Sequence, residues 1–334
     1  MRTPRSLLVT GAAGFLGSTF VHRLQAQRPT VRVVSLDALT YAGDLANLEG
    51  LPVPGHHTFV RADIRDTAEV IRVMEAHAVD TVVHFAAESH VDRSIEGPAA
   101  FLSTNVEGTA SMLEAARTVW AARAPEVVPR FHHISTDEVY GDLDGDQPAA
   151  VEGDRYAPSS PYAASKAAAD HLVHAWRRTW GLPVSLTHAS NSYGPRQYPE
   201  KLIPVVIGKA LAGQPIPIYG DGRQQREWLH AEDHADGVLA VIERGAEGSV
   251  WHVGGPDTLE NRELAGHLCA LLDEAHPEGA PHARLMTSVP DRLGHDRRYA
   301  LDCTKIRREL GWSPRWTLEA GLEQTVRWYV QRRG

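Results

Sequence analysis

A short apolar run, Leu7-Leu8-Val9-Thr10, passes directly into Gly11-Ala12-Ala13-Gly14-Phe15-Leu16-Gly17. An amphipathic stretch with Phe15, Val21 and Leu24 on one side follows. Strand, glycine-rich turn and helix in that order admit few folds. Such glycines let a backbone pass close to a pyrophosphate, and the helix start supplies donors and partial positive charge. A plain tight turn uses the same residues, so the motif alone is a weak signal. Its context strengthens it. The next apolar run, 31–36, ends in Asp37, twenty positions after Gly17, where a carboxylate grips a ribose diol. No arginine follows closely to receive a 2′-phosphate, which favours NAD over NADP. A third run, 57–60, leads to Asp63, a candidate for the adenine edge.

The alternation continues along the chain. Residues 79–85 read as a strand covered on both faces and end in Ala86-Ala87-Glu88-Ser89-His90. The helix after them carries Val106, Thr109, Leu113, Ala116 and Trp120 on one stripe, with Asn105 in its first half. A fifth run, 131–134, ends in Ser135, Thr136, Asp137 and Glu138, and its helix spans about 162–180. Residues 184–189 and 250–253 supply two more strands. The class is α/β: a doubly wound parallel (Rossmann) sheet of about seven strands, with ligands off the strands' carboxyl ends. Gly11, Asp37, Ala86, Thr136, Asp137, Glu138 and Asn191 all stand at such ends. After Asn191 the rhythm breaks. Pro195, Pro199, Pro204, Gly213, Pro215, Pro217, Gly220 and Gly222 predict irregular structure, and short helices are expected at 261–272 and 318–333. These pieces predict a second, smaller mixed α/β substrate-binding domain. The expected division is 1–190 plus about 228–256 for the NAD-binding domain, and about 191–227 plus 257–334 for the other.

With 334 residues, 43% of them apolar, the chain has ample core for this plan. A net charge of -8 with scattered Lys and Arg speaks against nucleic acid or an anionic membrane as partner. Met1 leads almost directly into a strand, without a leader or a membrane-length apolar run. Cys269 and Cys303 lack ligand spacing, so reduced thiols in a cytoplasmic protein and no metal site are expected. The 18 histidines include His56-His57 and His132-His133, which have no ligand partner at spacing and read as ordinary.

Two adjacent carboxylates at a strand end, Asp137 and Glu138, cannot both ionise normally, so their proton affinities are driven apart. One then serves as acid and the other as base. Tyr162 and Lys166, four apart, share one helix face. A phenol of pKa about 10 is a poor base, but a nearby lysine and a charged nicotinamide both favour its phenolate. Beside Thr136, that tyrosine is equipped to take a proton from a hydroxyl while hydride leaves the same carbon.

The order Gly11xxGly14xxGly17, Thr136 and Tyr162xxxLys166 resembles the extended short-chain dehydrogenase/reductase family essentially from end to end. Five stretches are similar to its dTDP-glucose 4,6-dehydratase branch: 86–95 (AAESHVDRSI), 135–141 (STDEVYG), 199–204 (PEKLIP), 219–228 (YGDGRQQREW) and 294–302 (GHDRRYALD). The resemblance implies that Tyr162, helped by Lys166 and Thr136, takes the proton of the sugar's 4-hydroxyl as hydride passes from C4 to NAD. Glu138 then removes the C5 proton, Asp137 protonates the departing 6-hydroxyl, and hydride returns to C6. NAD stays bound and is recycled. Cofactor contacts implied are Gly11, Gly14, Phe15, Leu16, Gly17, Asp37, Asp63, Ile64, Ala86, Ala87, Asn105, Tyr162 and Lys166. Substrate contacts implied are Ser89, Thr136, Asn191, Glu200, Lys201, Leu202, Tyr219, Arg226, Asn261, Arg292 and His295, the arginines at the diphosphate. A homodimer through the helices at 104–120 and 162–180 is also implied.

Four positions depart from the family pattern: Ala12 for a glycine, Ser192 for an asparagine, Arg196 for an aromatic residue and Leu293 for a proline. The last three bear on the nucleotide and the sugar rather than on the reaction class. A 4-epimerase or UDP-glucuronate decarboxylase shares the Tyr and Lys but has no use for two acids. A dinucleotide-sensing regulatory protein keeps the fold and usually loses the Tyr or Lys.

Overall fold

The computed structural model describes residues 2–122 and 127–332, so the expected helix end at Arg333 lies outside the described residues. The first part of the chain forms β1 (Ser6–Thr10), α1 (Phe15–Gln27), β2 (Arg32–Asp37), β3 (His57–Arg61), α2 (Thr67–Ala76), β4 (Thr81–His84), α3 (Val91–Glu96), α4 (Pro98–Phe101), α5 (Gly108–Ala121), β5 (Arg130–Thr136), α6 (Pro161–Trp180) and β6 (Val184–Ala189). The remainder forms β7 (Asn191–Tyr193), α7 (Leu202–Leu211), β8 (Ile216–Tyr219), β9 (Gln225–His230), α8 (Ala231–Arg244), β10 (Val250–Val253), β11 (Asp257–Glu260), α9 (Asn261–Ala275), β12 (Met286–Val289), α10 (Thr304–Leu310) and α11 (Leu318–Gln331).

Seven strands make one sheet in the order β10-β6-β5-β4-β1-β2-β3, and every pairing in it is parallel. All seven match runs read from the sequence. Alternate residues face opposite sides: Leu8, Val82 and Phe131 join one core layer, while Leu7, Val9, Val83 and Ile134 join the other. Each fully buried Leu or Phe contributes roughly 2 kcal/mol relative to exposure. The chain reverses direction across the sheet between β1 and β4, which opens a crevice at their carboxyl ends. α6 starts there because Ser160 accepts a hydrogen bond from the Ala163 N–H and Pro161 presets the first turn. It ends at Gly181 in the left-handed conformation.

Two features differ from the sequence reading. The helix expected at 104–120 begins as a π-helical turn, Leu102–Glu107, and becomes α-helical only at Gly108; apolar periodicity does not register a one-residue bulge. The segment 195–222, read as irregular, contains α7, and α8 follows β9. Pro204 occupies the first turn of α7, where the missing N–H costs no helical bond. β11, β9 and β7 form a three-stranded sheet, and β12 and β8 a two-stranded one. With α7, α9 and α11 they enclose a third core around Tyr193, Ile207, Trp228 and Leu268. Near the end of the chain, Ile306, Leu310 and Trp312 pack with Trp251 and Val253 of β10. Among the described residues no helix is long and apolar enough to cross a membrane.

Candidate active site

The turn from β1 to α1 brings backbone against backbone. Gly11 has φ +65°, and a Cβ on it would lie 2.7 Å from the Ala86 nitrogen. On Gly17, a Cβ would meet the Gly11 carbonyl oxygen at 2.2 Å. Gly14 begins α1 without a side-chain cap, leaving the first-turn N–H groups at Phe15, Leu16 and Gly17 beside a cleft that these residues line. Ala12 is fully buried behind the turn. Asp37 accepts hydrogen bonds from the Ala13 N–H (2.9 Å) and the Leu39 N–H (2.8 Å). Burial outweighs those bonds and raises its pKa, and each oxygen retains acceptor capacity. Asp63 and Ile64 line the same cleft. Asp63 pairs with Arg65 at 2.6 Å, which lowers its pKa.

Ala86 and Ala87 form the cleft wall above β4. Asn105 does not line it. Its Oδ1 accepts from the Glu88 N–H (2.8 Å), and its Nδ2 donates to the Glu88 carbonyl (3.0 Å) and Ser165 Oγ (2.9 Å). The π turn therefore places Asn105 as a brace that fixes the 86–90 segment.

Thr136, at the end of β5, caps a single turn of 3-10 helix that holds Asp137 and Glu138. Its hydroxyl donates to Asp137 Oδ1 (3.2 Å) and accepts from the Glu138 N–H (3.3 Å). Asp137 is buried, and its Oδ2 lacks a protein partner. Burial first, then the Glu138 and Glu227 charges, raise its pKa well above the carboxylate range. Burial also raises Glu138, but Lys201, Arg226 and Arg292 pull it back. The two acids are thus set apart less by adjacency than by burial, which raises both, and by the cations that pull Glu138 back.

Tyr162 and Lys166 of α6 face the same cleft. The phenol differs from expectation. Burial, then Glu138 and Asp137, raise its pKa, and the Thr136 hydroxyl opposes them. Lys166 donates to the Ile134 carbonyl at 2.7 Å; burial lowers its pKa to about 8, with Asp170 opposing. The phenolate is therefore costly in the chain by itself, and a positive charge brought into the cleft has much to change.

Ser89, Asn191, Glu200 and Lys201 line the other end of the cleft. Lys201 donates to the Ser89 carbonyl at 2.5 Å. Asn191 Oδ1 is buried without a protein partner. Glu200 accepts from the Tyr41 hydroxyl at 3.2 Å and lies 3.9 Å from Arg93. Further out, Arg292 and Tyr219 both reach Asp92 of α3, at 3.3 and 3.4 Å, and His295 is held by Asp291 at 2.6 Å. Arg226 is 4% exposed. It donates to the carbonyls of Gln225, Arg297 and Asp296, so its charge reaches the acids while its donors are largely engaged. Leu202 opens α7 and packs into the third core. The Asn261 N–H bonds the Gln224 carbonyl as α9 begins.

Sequence reasoning missed Tyr41, Asp92 and Arg93, although the last two lie in the quoted stretch AAESHVDRSI. Each acts through a partner more than a hundred residues away, a pairing that no local spacing reveals. His133, read as ordinary, lies 3.4 Å from the Lys166 ammonium; His132, by contrast, bonds only Ser185 and Thr187 within the sheet.

The model of the family described as GDP-mannose 4,6 dehydratase matches residues 8–325. A dTDP-glucose 4,6-dehydratase of Xanthomonas campestris pv. campestris is 52% identical over 328 residues, covering 97% of this chain and 92% of that one. The crystal structure of a dTDP-glucose 4,6-dehydratase from Streptomyces venezuelae with NAD bound superposes with a TM-score of 0.89 at 45% identity, covering 98% of both chains. A UDP-glucose 4-epimerase of Thermotoga maritima superposes with a TM-score of 0.86 at 28% identity, covering 98% of this chain and 100% of that one. The backbone is thus shared by two chemistries, and the side chains distinguish them.

Proposed function

The chain belongs to the GDP-mannose 4,6 dehydratase family, and from that premise we infer that it is an NAD-dependent hydro-lyase converting dTDP-glucose to dTDP-4-keto-6-deoxyglucose. The observation that carries this reading is the buried acid pair. An epimerase leaves Asp137 and Glu138 without work, whereas a dehydratase uses both, and relatives about half identical to this chain carry the dehydratase name.

The residues at the nucleotide end fit NAD. Gly11, Gly14 and Gly17 form a cradle that a Cβ would fill, the uncapped α1 suits a pyrophosphate, and Asp37 suits a ribose diol. Held by the glycine turn and Asp37, NAD would supply a hydride acceptor for C4 and a hydride donor for C6. Tyr162 receives the 4-hydroxyl proton, and Thr136 stabilises the phenolate by hydrogen bonding. The 4-ketone acidifies the C5–H bond. Glu138 takes that proton, Asp137 donates its own to the 6-hydroxyl, and water departs. Glu138 then gives its proton back to C5, and the proton gained by Tyr162 offsets the one lost from Asp137. The split pKa values of the acids match this division of labour.

On the same reading, residues 1–190 and about 228–256 serve NAD, and about 191–227 and 257–334 serve the nucleotide sugar. Lys201 and Arg292 offer cationic groups for a diphosphate, and Arg226 contributes charge more than donors. The exposed Leu102 and Trp180 on the helices flanking the sheet support a homodimer through α5 and α6; a monomeric mass at micromolar concentration contradicts it. Both cysteines are free and buried, which agrees with a cytoplasmic setting. The test is incubation of the purified protein with dTDP-glucose, UDP-glucose, UDP-glucuronate and GDP-mannose, read by mass. Loss of one water from dTDP-glucose is expected. An isomer of unchanged mass, or loss of carbon dioxide, supports the rival enzymes.

A further inference from the structure

Behind the Tyr162–Lys166 face lies an ionisable cluster that the proposed steps do not use. Asp170, on the same helix one turn past Lys166, is fully buried. Its Oδ2 accepts hydrogen bonds from Ser135 Oγ at 2.8 Å and His188 Nε2 at 3.1 Å. Its Oδ1 lies 3.4 Å from His133 Nε2. That same nitrogen lies 3.4 Å from Lys166 Nζ, so one imidazole edge separates ammonium from carboxylate. Beyond the His133 contact, Asp170 Oδ1 has no hydrogen-bond partner, nor has His133 Nδ1. The side chains holding Asp170 come from β5 and β6, and Ser135 immediately precedes Thr136. Asp170 thereby ties the strand that presents Thr136, Asp137 and Glu138 to the helix that presents Tyr162 and Lys166.

We propose that Asp170 is a positioning residue for Lys166: anchored by Ser135 and His188 and separated from Lys166 by His133, its carboxylate keeps the buried ammonium charged. The proposal rests on the reading of Tyr162 and Lys166 as the redox pair. An ammonium buried against one carbonyl and one neutral imidazole is poorly compensated. Asp170 is the group that raises the Lys166 pKa against desolvation. The other titratable groups facing the cluster do not supply negative charge at neutral pH. His84 from β4 and His133 from β5 have pKa values pushed down by burial. Tyr140 and Tyr156, which bond the two nitrogens of His188, and Tyr162 itself have raised pKa values and stay protonated. His252 from β10, beyond Tyr140, and His174 of α6 are also lowered by burial. Across the cleft, Asp137 and Glu138 bear on Tyr162, whereas Asp170 is the carboxylate that bears on Lys166.

The experiment is the pH profile of kcat for dTDP-glucose dehydration by the NAD-loaded enzyme. Without the Asp170 charge, Lys166 loses its proton at lower pH. Asp170→Asn is expected to move the alkaline limb down by about one pH unit, and Asp170→Glu to restore most of it. NAD content per chain stays unchanged in both. A uniform loss of rate with an unmoved limb, or a wild-type profile, overturns the proposal. Should Asp170→Asn fail to fold, the pair is replaced together: in a Lys166→Met background, adding Asp170→Asn is expected to change the residual rate less than about twofold. An independent further loss overturns the proposal equally. Failure of the wild-type enzyme to release water from any nucleotide sugar would instead strike the parent reading.

Discussion

The two ends of the cleft are built from different materials. On the proposed reading, recognition at the nucleotide end falls to the backbone: glycines that leave no room for a Cβ, a helix start without a cap, and one carboxylate at a strand end. At the proposed sugar end it falls to side chains, each held by a group from a distant part of the chain. Arg292 leans on Asp92, Tyr219 on the same Asp92, Glu200 on Tyr41 and Lys201 on the Ser89 carbonyl. A backbone site is rigid and fails all at once. A side-chain site is adjustable and fails by degrees.

The largest effect is expected where the backbone end is filled. Gly17→Val places atoms where even a Cβ would lie 2.2 Å from the Gly11 oxygen. NAD measured per chain after gel filtration should fall to near zero, and retention of NAD would show that the turn yields. Next, Glu138→Gln removes the base while leaving the nucleotide end intact. Turnover should fall about a thousandfold, yet added dTDP-glucose should still reduce the bound NAD, read by its near-ultraviolet absorbance.

The pH dependence sharpens the same contrast. Glu138 works only ionised, and its pKa is raised, so the rate is lost as pH falls through a value above that of an ordinary glutamate. Lys166 works charged, with a pKa near 8, so the rate is lost again as pH rises past it. A narrow bell is expected, each limb falling about tenfold per unit; a flat profile from the ordinary glutamate range to well above Lys166 contradicts it. Arg292→Ala should raise KM for dTDP-glucose about tenfold with kcat little changed. The smallest effect belongs to Asp92→Asn, which releases Arg292 and Tyr219 from a carboxylate that is only half-buried; KM should move by about twofold or less, since such pairs are weak.

The same contrast explains what was legible in the sequence. All seven strands of the main sheet, the glycine turn and Asp37 follow from local spacing, because backbone recognition is written in consecutive residues. The acid pair was legible as two neighbouring residues at a strand end, but the burial and the distant cations that set their pKa values were not. Tyr162 and Lys166 were legible as a pair, but the direction of the tyrosine's shift was not, since it depends on burial and on carboxylates brought from β5. The π turn at 102–107 escaped because it alters helical phase by one residue. Asn105 lies in that turn and bonds both the N–H and the carbonyl of Glu88. Asp92, Arg93, Tyr41 and Asp170 act across the tertiary structure, where no motif announces them. α7 was masked by prolines, although a proline in a first turn is permitted.

The central claim is that one hydride is borrowed from the sugar and returned to the same molecule. It is tested most directly with dTDP-glucose carrying deuterium at C4, turned over in ordinary water and examined by mass and NMR. The account predicts a 4-keto product, lighter by one water, with the deuterium at C6. Deuterium lost to solvent, or retained at C4 in an epimerised sugar, would contradict it.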